Sequence, residues 1–180
     1  AYYSVSAGLN GLAGPLHGLA NQECLNWILE TMEKFGGTPS EQEIRDYAFE
    51  TLKSGKVVPG YGHAVLRVTD PRFTGFNQFG NEHMPDDPVF QTVARVYDVI
   101  PKVLKQIEKI SNPWPNVDAQ SGVIQWYYGV QEYAFYTVLF GVGRSLGTLA
   151  NITWDRALGY PIERPKSLTT AMLEDVAAGK

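Results

Sequence analysis

The feature that most constrains this chain is an apolar residue at every third or fourth position, which places those side chains on one helix face. Residues 15–35 show the pattern clearly, from Leu19 to Ile28 and beyond, and Gly36 follows it. Glycine after a periodic stretch ends a helix, so one helix is predicted to occupy this range. No stretch of useful length alternates apolar and polar residues as a half-buried strand does. The sequence therefore predicts an all-α fold.

Prolines and capping residues mark further helix starts. Asp70-Pro71 and Asp87-Pro88 each combine a capping side chain with a proline that fits the first helical position. The segment 38–41 is typical of a capping box with proline at the first helical position. Other helices are predicted for residues 1–13, 119–128, 131–158 and 168–178, and Pro101 is predicted to kink the helix that begins at Pro88. The helix over 131–158 is strongly apolar and is predicted to be central.

Composition excludes several classes of protein. The 180 residues correspond to about one domain, and the net charge of −4 argues against a general nucleic-acid binder, which needs a basic face. No apolar run reaches the ~18 residues of a membrane span. Cys24 is the one cysteine, so neither an intrachain disulfide nor a cysteine-based zinc site is possible.

Two glycine- and proline-rich segments, 56–63 and 111–118, interrupt the helices and end at His63 and Asp118. Glycines let the backbone approach a ligand closely, and a carboxylate on a rigid loop can act as a general base. His17 lies at a predicted helix start, which favours the neutral imidazole, a hydrogen-bond donor to a developing oxyanion. The alternatives are histidines satisfied by loop carbonyls and an aspartate that only caps a helix.

Three arginines suggest an anionic ligand. Arg144 stands in an apolar helical stretch and requires an anion nearby, either a ligand or a salt bridge to Glu132 or Asp155. Arg72 gains nothing from the dipole at its helix start, and Arg164 lies in an extended segment suited to reaching a neighbouring surface. Together with the histidines and the aspartate, they suggest a small polycarboxylate and acid–base chemistry. A zinc site is disfavoured because no local ligand pair is present.

Several long motifs occur in unbroken order and span nearly the whole chain. They are GLAGPLHGLAN at 11–21, VVPGYGHAVLR at 57–67, NPWPNVD at 112–118, TVLFGV at 137–142 with Arg144 nearby, and ERPKS at 163–167. Together they strongly resemble citrate synthases of the eukaryotic mitochondrial type. The resemblance implies the helical fold of that family, in which a small domain closes over substrate against a large one.

The resemblance implies a role for each matching residue. His17, His63 and Asp118 fall on the catalytic residues of the family, which condenses acetyl-CoA with oxaloacetate and water to give citrate and CoA. Asp118 would remove a methyl proton from acetyl-CoA, and His17 would donate a hydrogen bond to the thioester oxygen. His63 would polarise and protonate the oxaloacetate carbonyl.

The resemblance also implies binding residues. His63, Arg72, Arg144 and Arg164 would bind oxaloacetate, with Arg164 reaching into the site of the partner subunit of a homodimer. Acetyl-CoA is a co-substrate, and no permanently bound cofactor or metal is expected. The residues expected to contact CoA are Val57, Val58, Gly60, Tyr61, Arg67 and Asn116.

The expected organisation follows the family too. Residues 1–19 would end the large domain, 20–128 would form the small CoA-binding domain, and 129–180 would return to the large domain. Family members are much longer, so these 180 residues alone are expected to be inactive. Mitochondrial matrix placement rests on the resemblance alone. Departures from the family pattern occur at Ser111, Gln120 and Gly143, and the first leaves one CoA-phosphate contact in doubt.

Two other functions stay open at this point. 2-Methylcitrate synthase uses propionyl-CoA with the same machinery, and one methylene provides only about 1–3 kcal/mol of discrimination. A non-catalytic structural fragment or assembly component is the alternative of another class.

Overall fold

The computed structural model describes residues 1–14, 16–161 and 168–179. Helices account for all regular structure in these ranges, so the fold is all-α as predicted. The helices are α1 (Tyr2–Asn10), α2 (Ala20–Phe35), α3 (Glu41–Lys53), α4 (Pro71–His83), α5 (Pro88–Leu104), α6 (Asp118–Tyr127), α7 (Tyr136–Leu158) and α8 (Thr170–Ala177), with a 3-10 turn at Tyr133–Phe135. None of the helices described is long and apolar enough to cross a membrane.

The predicted helix starts at the two Asp-Pro pairs are confirmed. The Asp70 side chain accepts a hydrogen bond from the Arg72 amide, and Asp87 accepts one from the Phe90 amide. The helix from Pro88 continues through Pro101 to Leu104. The capping box lies two residues later than predicted, because Ser40 is the N-cap and exchanges hydrogen bonds with Glu43.

Helix α2 ends at Gly36 as predicted, but it begins at Ala20 rather than Pro15. Residues 16–19 form turns instead, and the Gly18 amide donates a hydrogen bond to the Leu12 carbonyl. A Cβ on Gly18 would lie 2.6 Å from that carbonyl oxygen. The apolar periodicity of this stretch therefore extends further than the helix does.

The core lies between α2, α3, α5 and α6. Helix α5 contributes more of it than any other helix described, with a continuous buried face that includes Val93 and Ile100. Leu25 and Ile28 of α2 and Ile44 of α3 are also fully buried in the same cluster. Helix α4 joins the cluster through Phe73 and packs against α6. The loops that lead into α4 and α6 are therefore anchored on two helices that pack against each other.

Helix α7 differs from its prediction. It was expected to be central, but Tyr136 is its one buried residue within the described ranges, and Val142 and Leu146 are exposed. Helix α1 packs along α7. An apolar face indicates that a helix needs a partner, and periodicity alone does not say whether the chain in hand supplies it.

Candidate functional site

The two glycine- and proline-rich segments singled out in the sequence lie side by side. The Gly62 amide donates to the Trp114 carbonyl at 2.9 Å, and the Asn116 amide donates to the Gly60 carbonyl at 2.9 Å. A single antiparallel bridge pairs Tyr61 with Pro115. Two segments far apart in the sequence thus form one surface in front of α6.

Side chains fasten the same two segments. The Asn116 amide nitrogen donates to the Gly62 carbonyl at 2.9 Å, while its Oδ1 accepts from the Asp118 amide at 3.0 Å. The Asn112 side chain donates to the Leu66 carbonyl at 2.7 Å. Asn116 therefore links the first loop directly to the residue that begins α6.

Gly60 allows the first loop to approach α6 closely. Its φ is +80°, and a Cβ there would lie 2.8 Å from the Cys24 sulfur and 2.9 Å from the Ala119 Cα. A residue with a side chain would meet both a left-handed backbone and a collision. Glycine is thus required for the loop to touch the first turn of α6.

Asp118 is the first residue of α6 and is partly buried. The interpretation of Asp118 as a helix cap is wrong, because Val117 is the N-cap residue and the first amide of α6 donates to the Asn116 side chain. Burial raises the pKa of Asp118, the positive charges of Arg72 and His17 lower it, and the negative charge of Asp70 raises it. No hydrogen bond among the described residues uses its carboxylate, which is therefore available to a ligand.

His63 has a defined hydrogen-bond geometry. Its Nδ1 accepts from the backbone amides of Val65 at 2.9 Å and Leu66 at 3.0 Å. An acceptor nitrogen carries no proton, so the neutral ring carries its proton on Nε2. The alternative prediction, a ring that donates its hydrogen bonds to loop carbonyls, is wrong for Nδ1, which accepts from two backbone amides instead. The exposed imidazole can donate from Nε2 to a ligand oxygen.

His17 is exposed in the turn that leads into α2, and Leu19 rather than His17 is the N-cap residue. Its charge contributes to lowering the pKa of Asp118, which requires the two side chains to lie near one another. Residues from three separate places in the chain, His17, Arg72 and Asp118, are thereby brought into electrostatic contact.

The arginines differ in setting. Arg72 is 59% exposed and donates from Nε and Nη2 to the two carboxylate oxygens of Asp70. Arg144 is exposed and its guanidinium lies 5.1 Å from the centre of the Phe140 ring. Neither acidic partner proposed from the sequence forms an ion pair with Arg144 in the part of the chain described. Arg164 lies outside the described residues.

The predicted CoA loop is partly core and partly surface. Val58 and Gly60 are buried, whereas Val57 is exposed. No hydrogen bond in the described ranges uses the backbone groups of Val57 or Val58, which leaves them to a ligand. Arg67 donates from Nη1 to the carbonyls of His63 and Leu66 and so stiffens the loop.

Sequence reasoning missed Asp70 as a member of this cluster. It was recognised only as a helix start, yet its side chain is 1% exposed and faces Arg72. The signal was present in the sequence, because an N-cap aspartate and an arginine two residues later fall within reach of one another. No group of three metal-ligating side chains occurs among the residues that the structure describes.

The chain matches the family model described as "Citrate synthase, C-terminal domain" over residues 1–166. It is 59% identical over 172 residues to the probable mitochondrial citrate synthase of Glossina morsitans morsitans, covering 96% of this chain and 37% of that protein. It is 56% identical over 179 residues to the mitochondrial citrate synthase of Xiphias gladius, covering 99% of this chain and 38% of that protein. The chain thus spans less than two fifths of the curated relatives it matches.

Solved structures are similar in fold. The ternary complex of a Thermoplasma acidophilum citrate synthase with carboxymethyl coenzyme A and oxaloacetate aligns with a TM-score of 0.69 at 23% sequence identity. The alignment covers 92% of this chain and 42% of that one. With the family model matching nearly the whole sequence, the chain belongs to the citrate synthase family.

Proposed function

We propose that the protein containing this chain condenses acetyl-CoA with oxaloacetate and water to give citrate and CoA. One observation carries the proposal. Asp118 is a partly buried carboxylate with a raised pKa, its pKa is influenced by Arg72 and His17, and its loop is hydrogen-bonded to the loop that ends at His63. Such a set suits proton abstraction from carbon with stabilisation of the resulting oxyanion. The family relationship supports the same reaction.

Asp118 acts as the base in this scheme. It takes a proton from the methyl group of acetyl-CoA, and the raised pKa makes its carboxylate a stronger base than an exposed aspartate. A methyl group beside a thioester is still a much weaker acid, so the developing oxyanion needs a hydrogen bond at once. His17 supplies it to the thioester oxygen.

His63 and the arginines serve the second substrate. The enolate carbon attacks the ketone carbonyl of oxaloacetate, and the new alkoxide takes its proton from Nε2 of the exposed His63 side chain. Arg72, Arg144 and Arg164 bind the carboxylates. The product is citryl-CoA, and water then cleaves its thioester to release citrate and CoA.

The CoA moiety is assigned to the first loop. The unused backbone groups of Val57 and Val58 suit the edge of an adenine ring, and Gly60, Tyr61 and Asn116 form the adjoining wall. Arg67 is assigned to a CoA phosphate. Carboxymethyl coenzyme A and oxaloacetate bound to the archaeal relative are consistent with both substrate assignments.

The remaining assignments concern organisation. Residues 20–128 form the small domain in this proposal, since the buried core lies almost entirely within that range. Residues 1–19 and 129–180 belong to a large domain, in accord with the exposed apolar face of α7. The active protein is a homodimer in which Arg164 serves the partner's site. The names of the relatives support a mitochondrial location, and we assign the protein to the matrix.

The test uses the complete protein and measures CoA thiol released from acetyl-CoA with oxaloacetate. Asp118→Asn should lower kcat by about 10²- to 10⁴-fold, the usual contribution of a general base. Asp86→Asn is the matched control, because Asp86 is exposed and makes no described hydrogen bond. Near-normal turnover by Asp118→Asn would remove that residue from its role, and preferential use of propionyl-CoA would assign the protein to 2-methylcitrate synthesis.

A further inference from the structure

The carboxylate of Asp70 connects several parts of the candidate site. It is buried, accepts the Arg72 amide at 2.9 Å, and accepts the guanidinium Nε at 3.1 Å and Nη2 at 2.7 Å. The Asp70 amide donates to the Pro115 carbonyl at 3.1 Å, three residues before Asp118. One residue therefore begins α4, holds the Arg72 side chain and fastens the loop that carries the proposed base.

The ion pair leaves part of the guanidinium unused. Asp70 occupies Nε and one Nη2 proton, so the two Nη1 protons and the second Nη2 proton of Arg72 stay available. A side chain gripped on two atoms loses much of its rotamer freedom before a ligand arrives. The free edge can then form a paired hydrogen bond with a substrate carboxylate at little further entropic cost.

We infer that Asp70 is a positioning residue that orients the Arg72 guanidinium toward oxaloacetate. The inference rests on the proposed function. Asp70 touches neither substrate in this scheme and acts through the residues beside it.

The charged groups around Asp118 predict how loss of the Asp70–Arg72 pair changes the pKa of Asp118, which provides an additional readout. Arg72 and Asp70 approach from the start of α4, His17 from the turn before α2, and the neutral thiol of Cys24 from α2 itself. The negative charge of Asp70 raises the pKa of Asp118, and Arg72 lowers it. Replacing Asp70 by a neutral residue removes the first influence and uncovers the second, so both changes lower that pKa.

The test compares Asp70→Asn with Asp87→Asn in the complete protein. Both aspartates are N-caps followed by proline, and asparagine caps a helix as well as aspartate does. Within the described residues, Asp87 forms no ion pair with an arginine, and its carboxylate accepts from the Phe90 amide. Any difference between the two variants therefore reports the Arg72 contact rather than the helix start.

Asp70→Asn should raise the KM for oxaloacetate by about 10-fold or more, the usual cost of losing a hydrogen bond to a charged group. The KM for acetyl-CoA should stay near the wild-type value. The acid limb of the pH profile of kcat should move to lower pH, a change that lost stability alone does not produce. Asp87→Asn should match the wild type in all three.

Two more variants secure the interpretation. Asp70→Glu keeps the charge and alters the geometry, so it should raise the oxaloacetate KM and leave the acid limb in place. Adding Asp70→Asn to an Arg72→Lys protein should raise that KM no further. If the wild-type protein is active and Asp70→Asn behaves like Asp87→Asn, this inference alone is overturned. If the complete wild-type protein forms no citrate, the proposed function is overturned and this inference with it.

Discussion

Replacing Gly60 by alanine should lower the free energy of unfolding, because Gly60 lies where the first loop contacts α6. The new Cβ would lie 2.8 Å from the Cys24 sulfur, 2.9 Å from the Ala119 Cα and 3.0 Å from the Ala119 Cβ. Contacts of this length force the surrounding atoms apart, which costs about 1–3 kcal/mol in a packed core. The left-handed backbone, at φ +80°, adds about 1–2 kcal/mol for any residue with a side chain.

Gly55 provides a close control for the backbone contribution. Its φ is +81°, and nothing lies within 4 Å of a Cβ built there. Gly55→Ala should therefore lower the free energy of unfolding by the backbone cost alone, about 1–2 kcal/mol, and Gly60→Ala by about 2–5 kcal/mol. The difference between the two variants isolates the collision.

Urea denaturation of the complete protein, followed by intrinsic tryptophan fluorescence, measures both variants under one condition. Gly60→Ala should also lower turnover, since relief of the collision moves the loop away from Ala119 and the neighbouring Asp118. Equal midpoints for Gly55→Ala and Gly60→Ala would show that the loop does not press on α6, and the account of this contact would fail.

Three further outcomes follow from burial. Asp118→Asn should raise the free energy of unfolding at pH 7, because a group whose native pKa is raised destabilises the fold above that pKa. In urea titrations this gain should shrink as the pH falls, because the wild-type carboxyl then takes up its proton. The Cys24 thiol, 4% exposed and with its pKa raised by burial, should resist iodoacetamide in the native protein and react after unfolding in guanidinium, as mass spectrometry would show; rapid native labelling would contradict its burial. Phe73→Ala should cost about 3–5 kcal/mol in urea denaturation, and Phe79→Ala, at a side chain 37% exposed, distinctly less; equal losses would place Phe73 outside the core.

Much of the helical pattern was predictable because its signals are local. Asp70 and Asp87 cap helices with a proline at the first position, and Gly36 ends α2 in the left-handed conformation. Each signal depends on atoms within a few residues, so no knowledge of the tertiary fold is needed. The two loops were identified for the same reason, since their prolines and glycines fit no regular element.

Long-range features were not predictable in this way. Periodicity extended α2 back to Pro15, but the close contact of Gly18 with the Leu12 carbonyl bends the chain there. The exposure of α7 depends on which other segments cover its apolar face. The candidate catalytic residues were found one at a time, whereas the effect of Asp70 on Asp118 required the three-dimensional arrangement.

The pairing of the two loops has a consequence for how the protein matures. The hydrogen bonds from Asn116 to Gly62 and from Asn112 to Leu66 join residues 54 and 46 positions apart, with α4 and α5 between them. Closing so long a segment costs entropy that the intervening helices must first offset by packing. A nascent chain therefore completes the surface formed by the two loops only after the intervening helices have packed.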